Sequence, residues 1–304
     1  MKIKKYLWGI IFGIILTSYT AYILLDTFVI ERIYTTEPVK NSQFKALNDT
    51  INLDKGEIKT SDYSYKDDNI SINLTEHRQN DTTIYVADVI LSDASLLKTA
   101  FAKDSYGKNI TEKTSKIAAN NNAILAINGD YYGTQEKGYV LRNGALYRDT
   151  VNKNKEDLVI YPNGSFEIIS EKEISAETLV QNNASQVLSF GPALIINEKI
   201  AIDEDEEVGK SMASNPRTAI GIIDNLHYVF IVSDGRTKES EGLSLYELAE
   251  FMQSLGVKIA YNLDGGGSST MYFNGEIINN PTTNGKKISE RSVSDIVYIG
   301  YWIQ

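Results

Sequence analysis

The strongest constraint on the fold of this chain is a run of three consecutive glycines that directly follows an aspartate. The run lies in the segment Asn262-Leu263-Asp264-Gly265-Gly266-Gly267-Ser268-Ser269-Thr270. Adjacent glycines lose much backbone entropy when they become ordered, so a folded protein uses them where another group approaches the backbone closely. The apolar residues 257–261 and 270–273 each predict a strand, and Asn274-Gly275 predicts a hairpin turn. The glycines therefore lie at the end of a sheet, where their N–H groups can surround a ligand beside Asp264.

Two other interpretations of the glycine run are weaker. A flexible linker inside a hairpin is the first of them. A nucleotide-binding loop is the second, and it lacks support because neither Gly-x-x-x-x-Gly-Lys-Ser/Thr nor Gly-x-Gly-x-x-Gly opening a helix occurs here.

The N-terminal residues 6–25 carry no charge and are numerous enough to cross a membrane. At ~1.5 Å per residue such a helix spans a bilayer core of ~30 Å. Lysines at positions 2, 4 and 5 precede the run, and Asp26 follows it, which predicts a cytoplasmic N-terminus and an extracytoplasmic domain. No convincing Ala-x-Ala-like site precedes Asp26, so an uncleaved single-pass anchor in the cell membrane is favoured over the alternative, a cleaved signal peptide.

The rest of the chain divides into a polar stalk or linker at 27–65 and a domain at 66–304, after the anchor at 1–26. Apolar strands alternate with turns in the domain, and few helices are predicted. These include residues 111–122 and a helix that begins at the capping box Ser244-Leu245-Tyr246-Glu247. Hairpin turns are predicted at Asn143-Gly144, Asn163-Gly164 and Asp224-Asn225. This pattern predicts an α+β fold with a mixed β-sheet core and a few flanking helices.

Composition excludes several classes of function. The chain has no cysteine and only two histidines, which argues against thiolate or histidine metal sites and against a Ser-His-Asp hydrolase. Without the three leading lysines, 27 basic side chains face 40 acidic ones, so nucleic acid is not an expected partner. The acidic cluster 203–207 is better interpreted as a solvated loop than as a calcium loop, because Gly209 is misplaced for the latter. No metal-binding residues are predicted, and the sequence leaves open whether the protein uses a cofactor.

Short polar clusters stand at the ends of several predicted strands. Each has the composition of an ordinary turn, but together they predict one shared pocket. Asp130, Asp234 and Asp264 offer acid–base or nucleophile chemistry. Arginines at 217, 236 and 291 can clamp a phosphate or a carboxylate, and the tyrosines at 131 and 132 offer stacking faces for a sugar ring.

Over about residues 80–300 the chain resembles the phosphodiester glycosidases, the family of the mannose 6-phosphate uncovering enzyme, whose bacterial members are often labelled exopolysaccharide biosynthesis proteins. The matching elements are residues 126–132, Ser189-Phe190-Gly191-Pro192-Ala193-Leu194, Asn215-Pro216-Arg217-Thr218, Ser233-Asp234-Gly235-Arg236, residues 242–249, the glycine run and Glu290-Arg291-Ser292-Val293. Asn-Leu-Asp-Gly-Gly-Gly-Ser-Ser together with Asn-Pro-Arg-Thr is the most specific pair. The chain departs from the family where Ser292 replaces a common proline and Asp130 replaces a frequent small residue.

The resemblance implies hydrolysis of a sugar that is linked through its anomeric oxygen to phosphate. Together with the aspartates noted above it predicts catalytic roles for Asp264, Asp234 and Asp130, although at Asp130 the chain departs from the family pattern. It implies substrate-binding roles for Asn128, Gly129, Tyr131, Arg217, Thr218, Gly235, Arg236, Asn262, Gly265, Gly266, Gly267, Ser268, Ser269 and Arg291. Two functions then remain open: a membrane-anchored hydrolase of a cell-surface glycan or other sugar phosphate, or a non-catalytic factor that binds polysaccharide during its assembly.

Overall fold

The computed structural model describes residues 2–35, 38–40, 53–203 and 214–301. Its α-helices in this part of the chain are Lys2–Phe28, Thr114–Asn120, Ala176–Gln181 and Leu245–Ser254. Its strands are β1 Arg32–Ile33, β2 Val39–Lys40, β3 Lys59–Ser61, β4 Ser64–Lys66, β5 Ile70–Gln79, β6 Thr82–Leu91, β7 Leu97–Phe101, β8 Gly107–Lys108, β9 Glu112–Lys113, β10 Leu125–Asn128, β11 Val140–Arg142, β12 Ala145–Arg148, β13 Glu156–Ile160, β14 Phe166–Ser170, β15 Gln186–Leu188, β16 Ala193–Ile196, β17 Lys199–Ile200, β18 Thr218–Asp224, β19 His227–Ser233, β20 Ile259–Asn262, β21 Met271–Phe273, β22 Glu276–Ile277, β23 Ser292–Val293 and β24 Asp295–Ile299. Most of the acidic cluster 203–207 and part of the predicted stalk lie outside the described residues.

Three sheets form the body of the domain. The largest has nine strands in the order β17-β16-β20-β18-β19-β6-β5-β4-β3, and the others are β14-β13-β15-β11-β12-β2 and β22-β21-β10-β24-β7. The predicted α+β class is confirmed by this predominance of sheet with few helices. The prediction of a mixed sheet is wrong for the described residues, because the strand pairs there are antiparallel. The helical connection from β19 to β20 skips over β18, so these two parallel strands are not neighbours.

The helix Leu245–Ser254 forms as its sequence predicts. Ser244 Oγ accepts a hydrogen bond from the Glu247 N–H at 3.0 Å, and Glu247 Oε2 accepts one from the Ser244 N–H at 2.8 Å. This capping box satisfies donors that the first turn leaves unpaired. The apolar face of the helix packs on one side of the nine-stranded sheet, while the other side of that sheet faces the largest core cluster.

The predicted boundaries shift where distant segments pair. The helix expected at 111–122 begins only at Thr114, because β9 pairs with β23. The predicted stalk at 27–65 contains strands of the domain: β3 and part of β4 extend the nine-stranded sheet, β1 pairs with β8, and β2 pairs with β12. Backbone pairing with residues far along the chain leaves no signal in the local composition of this segment.

The N-terminal helix contains an apolar span at Tyr6–Phe28, with a mean hydropathy of 1.8. None of this span is buried against the domain. Its length and composition suit a membrane anchor or a signal sequence, and they agree with the sequence analysis.

Candidate active site

The strand register brings the predicted polar clusters to one edge of the nine-stranded sheet. Asn262 at the end of β20 pairs with Ala219 near the start of β18, and Thr218 pairs with Val232 near the end of β19. Antiparallel neighbours place the end of one strand beside the start of the next. The segments that follow β20 and β19 therefore meet the segment that precedes β18.

A cavity of about 500 Å³ opens at this edge. Pockets of this size accommodate small-molecule ligands. Its lining consists of Tyr131, Phe190, Gly191, Asn215, Arg217, Arg236, Leu245, Asn262, Leu263, Asp264, Gly265, Gly266 and Arg291. Asp264 is the one carboxylate in that lining, and three arginines accompany it.

The Asp264 carboxylate lies at the wall of the cavity beside a cation. Its Oδ2 lies 3.2 Å from Arg291 Nη2, and the arginine side chain is 41% exposed. Arg291 also donates to Ser268 Oγ from Nε at 3.0 Å and from Nη2 at 2.6 Å. Burial raises the pKa of the Asp264 carboxyl, and Arg291 opposes that rise. The carboxylate is thus desolvated but retains an ion pair at the cavity.

The Arg236 guanidinium forms a second cationic wall. Asn215 Oδ1 accepts from Arg236 Nε at 3.1 Å and from Nη2 at 2.8 Å, while the Thr283 carbonyl accepts from Nη1 at 2.6 Å. Arg236 and Arg291 line the same cavity, and burial together with the positive charge of Arg291 lowers the pKa of Arg236. Arg217 is almost fully buried, and its Nε donates to the Leu243 carbonyl at 2.8 Å. This concentration of positive charge suits an anionic ligand.

The glycine run allows close packing rather than offering a row of free N–H groups. A Cβ on Gly265 would lie 2.9 Å from the Pro216 carbonyl oxygen, and one on Gly267 would lie 2.6 Å from Thr283 Oγ1. Gly266 has φ +62°, and a Cβ there would lie 2.8 Å from Arg236 Nη2. Its N–H donates to the Pro216 carbonyl at 2.8 Å. This N–H is thus already paired, so its predicted part in ligand binding stays a prediction that the geometry does not support.

Asp130 does not reach the cavity. Its carboxylate is fully buried, 2.8 Å from Arg142 Nη2, and the same nitrogen lies 2.8 Å from Asp295 Oδ2. Asp130 also accepts from the N–H groups of Tyr132 and Ser189 at 3.2 and 2.8 Å. These partners occupy both carboxylate oxygens away from the cavity, so this placement does not support the predicted catalytic role of Asp130, which stays a prediction.

Asp234 is also turned away from the cavity lining. Its carboxylate accepts from Asn279 Nδ2 at 3.3 Å, from Asn280 N–H at 2.8 Å, from Asn280 Nδ2 at 3.0 Å and from the Tyr85 hydroxyl at 3.3 Å. The carboxylate thus ties the 279–280 loop to β6, and the catalytic role of Asp234 stays a prediction that this placement does not support.

Several predicted binding residues support the site from behind. Asn128 Nδ2 donates to the Asp264 carbonyl at 2.5 Å, and its Oδ1 accepts from Thr218 Oγ1 at 2.9 Å. Gly129 has no room for a side chain, since a Cβ would lie 2.2 Å from Asp295 Oδ1. The remaining members of this group are Gly235, which packs on Pro216, Ser268, which binds Arg291, and buried Ser269. They position the cavity wall and are not part of its lining.

Asn262 and Tyr131 are predicted binding residues that line the cavity together with the three arginines, Gly265 and Gly266. Asn262 Nδ2 donates to the Gly191 carbonyl at 2.8 Å, and its buried Oδ1 has no hydrogen-bond partner among the described residues. A buried acceptor of this kind costs stability unless a ligand or water donates to it. Tyr131, at φ +63°, is 39% exposed. It presents a ring at the rim of the cavity.

Three further residues line the cavity although the sequence analysis did not predict a role for them. Asn215 orients Arg236, and Phe190 and Leu245 supply apolar wall. All three lie inside the segments 189–194, 215–218 and 242–249 that carry the family resemblance. Those segments could therefore have identified them as cavity residues. In the described part of the chain, no group of three or more His, Cys, Asp or Glu side chains is arranged to hold a metal ion.

The family model for phosphodiester glycosidase matches residues 121–300, which is more than half of the chain and includes the whole cavity lining. The chain belongs to the phosphodiester glycosidase family. The earlier resemblance is thus confirmed.

Individual relatives agree with this family. The chain is 27% identical over 201 residues to the SPbeta prophage-derived uncharacterized protein YomE of Bacillus subtilis strain 168, covering 64% of this chain and 31% of that protein. It is 39% identical over 95 residues to the N-acetylglucosamine-1-phosphodiester alpha-N-acetylglucosaminidase of Mus musculus, covering 29% of this chain and 18% of that protein. The chain therefore spans less than a third of the length of these curated relatives.

A solved structure shows the same fold. The zebrafish N-acetylglucosamine-1-phosphodiester alpha-N-acetylglucosaminidase catalytic domain superposes with a TM-score of 0.60 at 19% identity, covering 90% of this chain and 98% of that one. A hypothetical protein from Synechocystis superposes with a TM-score of 0.56 at 14% identity, over 81% and 64% of the two chains. At these identities the likeness concerns the fold.

Proposed function

We propose that this protein is a membrane-anchored hydrolase that cleaves the bond between a sugar and a phosphodiester in a cell-surface glycan. The observation that carries the proposal is the placement of one desolvated carboxylate, Asp264, beside Arg291 and near Arg236 in a single cavity. Family membership supplies the class of bond.

The arginines suit the phosphate. Guanidinium groups bind phosphate oxygens through paired N–H donors. Arg291 is partly exposed in the cavity, and Asn215 and Thr283 fix the plane of the Arg236 guanidinium. The unpartnered Asn262 Oδ1 accepts a hydroxyl hydrogen of the sugar, and the Tyr131 ring packs against its face.

Asp264 is the group that acts on the anomeric carbon, either by attacking it or by removing a proton from water that attacks it. The C–O bond to the phosphate breaks, and the electron pair leaves with the phosphate monoester. Since that leaving group is a weak base, it needs little protonation. This accounts for a site that works without a second carboxylate in the described lining.

The apolar N-terminal helix supports an extracytoplasmic location for this chemistry. Its lysine flank predicts a cytoplasmic N-terminus, so the domain lies on the extracytoplasmic side. The substrate is then a glycan of the cell surface, such as an exopolysaccharide.

A non-catalytic polysaccharide-binding factor is the second candidate. The observation that favours it is the single carboxylate in the described lining, because most glycosidases place two carboxyl groups about the scissile bond.

The experiment incubates the full chain in detergent with a sugar-1-phosphodiester, the matching sugar-1-phosphate and the matching simple O-glycoside, with and without chelator. We expect the diester alone to yield free sugar and a phosphate monoester. In ¹⁸O-labelled water the label should enter the sugar. Label in the phosphate would instead indicate a phosphodiesterase, and saturable binding without cleavage would indicate the binding factor.

A further inference from the structure

The end of the N-terminal helix is held directly by the domain. A helix leaves its last carbonyls unpaired, and Asn109 Nδ2 lies within hydrogen-bond distance of three carbonyls here: Asp26 at 3.4 Å, Thr27 at 3.1 Å and Ile30 at 3.1 Å. Ion pairs join Asp26 to Arg32 and, at 2.6 Å, Glu31 to Lys103. The helix thus ends on the surface of the domain and not in a free stalk.

The segment after the helix continues this attachment through its backbone. β1 pairs with β8, with Arg32 opposite Lys108 and Ile33 opposite Gly107. Gly107 is required there, since a Cβ would lie 2.0 Å from the Arg32 carbonyl oxygen. The Tyr34 N–H then donates to the Tyr106 carbonyl at 3.0 Å.

The attachment leads within a few residues to the rim of the cavity. The Tyr34 and Tyr106 rings lie 5.4 Å apart, and Tyr106 stacks on Tyr132 at 5.3 Å. The Asn109 N–H donates to the Gly133 carbonyl at 3.1 Å. Tyr131, which lines the cavity, stands two residues before Gly133, so its Cα lies within ~13 Å of the Asn109 nitrogen by chain geometry.

The surface around the attachment is suited to lipid. Phe28, Val29 and Ile33 are 73%, 62% and 64% exposed, directly after the apolar helix. The 23 residues of Tyr6–Phe28 reach ~35 Å, slightly more than a hydrocarbon core of ~30 Å. Residues 28–33 therefore lie at the level of the lipid headgroups.

From this geometry we infer that the substrate is a sugar phosphodiester whose other ester group is a membrane lipid. The inference rests on the proposed hydrolase function and adds the substrate class. The cavity is held close above the headgroups in a fixed orientation, so a substrate carried in the same bilayer is presented at high effective concentration. A polymer far from the membrane gains nothing from this attachment.

The test places the full chain in lipid vesicles and compares two diesters of one sugar. One diester carries a methyl group and is soluble, and the other carries a long alkyl chain and lies in the bilayer. The variant has a 20-residue Gly/Ser insertion between Phe28 and Val29, which lets the domain move ~25 Å from the helix. We expect the variant to lose at least fivefold in kcat/KM on the lipid diester and to stay within twofold of the wild type on the soluble one.

The soluble diester controls for folding and for an intact cavity. Equal rates of variant and wild type on the lipid diester would overturn the inference, and so would a wild type that cleaves only the soluble diester. In both of those cases the proposed hydrolase function stands. Cleavage of neither diester by the wild type would refute the hydrolase function and, with it, the lipid substrate.

Discussion

Asp264 and Asp130 have similar sequence surroundings and opposite environments. Each is adjacent to a glycine just after a buried strand, β20 or β10. Each also pairs with an arginine, but Arg291 beside Asp264 is 41% exposed, whereas Arg142 beside Asp130 is 2% exposed. The first pair lines a cavity, and the second is sealed in the core together with Asp295.

The difference shows that the partner, and not the motif, decides the role of such an aspartate. An ion pair open to a cavity can exchange its partner for a ligand. A buried pair cannot, because separating it leaves an uncompensated charge in the interior.

Removal of the Asp264 charge should have the largest effect. We expect Asp264→Asn to lower kcat by a factor on the order of 10² or more on a verified diester, because the group acts on the reacting carbon. The melting temperature should change little, since the side chain keeps its size at the cavity wall. Parallel kinetic and thermal measurements on the full chain check both parts; full activity, or loss only through unfolding, would make Asp264 a structural residue.

Asp130→Asn should have the converse effect. It weakens the buried pair with Arg142, which we expect to cost ~3 kcal/mol and ~6–12 °C in melting temperature. Turnover per folded molecule, measured well below the transition, should stay within a few-fold of the wild type. If Asp130→Asn instead abolished turnover without destabilising the protein, the contrast with Asp264 would be lost.

The sequence predicted the elements near the cavity better than the roles of individual residues. The capping box at Ser244, the hairpin at Asn143-Gly144 and the strand 82–91 depend on local backbone preferences, and the structure has them. The convergence of Arg217, Arg236 and Asp264 followed from their positions at strand ends.

The placements that the sequence did not anticipate depend on contacts between residues distant in sequence. Asp130 is paired with Arg142 and with Asp295, which is 165 residues away. Asp234 binds Asn279 and Asn280, far along the chain. Strands β3 and β4 lie in a polar segment whose composition is that of a linker, and only pairing with β5 makes them part of the sheet.

Arg236→Lys should raise KM for the diester about tenfold, with a smaller effect on kcat. A lysine cannot keep the contacts to Asn215 and Thr283 that fix the plane of the guanidinium. Arg78→Lys is the matched control. The Arg78 Nη1 also donates to a backbone carbonyl, that of Glu239 at 2.8 Å, but this contact lies at the exposed surface. An equal KM for both variants would show that Arg236 does not bind the phosphate of the substrate.

The pH dependence of kcat/KM should report the Asp264–Arg291 pair. Burial raises the pKa of Asp264 and Arg291 lowers it, so Arg291→Gln should let that pKa rise further. If the ionised carboxylate is the active form, the rate falls as pH drops through this pKa, and the acidic limb of the profile moves to higher pH in the variant. An acidic limb that stays in place would show that another group titrates there.

The smallest effect concerns Asp157. This aspartate is buried, like Asp130, but it has no arginine partner among the described residues. Burial and the negative charge of nearby Glu171 raise the pKa of the Asp157 carboxyl well above its usual range, and the Ser189 side chain opposes that rise. The folded protein therefore retains this proton to higher pH than the unfolded chain, and the stability contribution of Asp157 falls as pH rises above ~4, the unfolded value. Asp157→Asn should remove this loss and raise the melting temperature by a few degrees at pH 8, but by less at pH 5.

Asp67→Asn is the matched control, because that buried carboxylate accepts from the Ile70 N–H at 2.7 Å and from the hydroxyls of Tyr65 and Tyr301 at 2.7 and 2.6 Å. The same substitution should destabilise the protein there, since an amide cannot accept at all of these positions. Differential scanning calorimetry of both variants at pH 5 and pH 8 measures these changes in melting temperature. A lower melting temperature for Asp157→Asn at pH 8 would mean that this carboxylate, like that of Asp130, is stabilised by its surroundings.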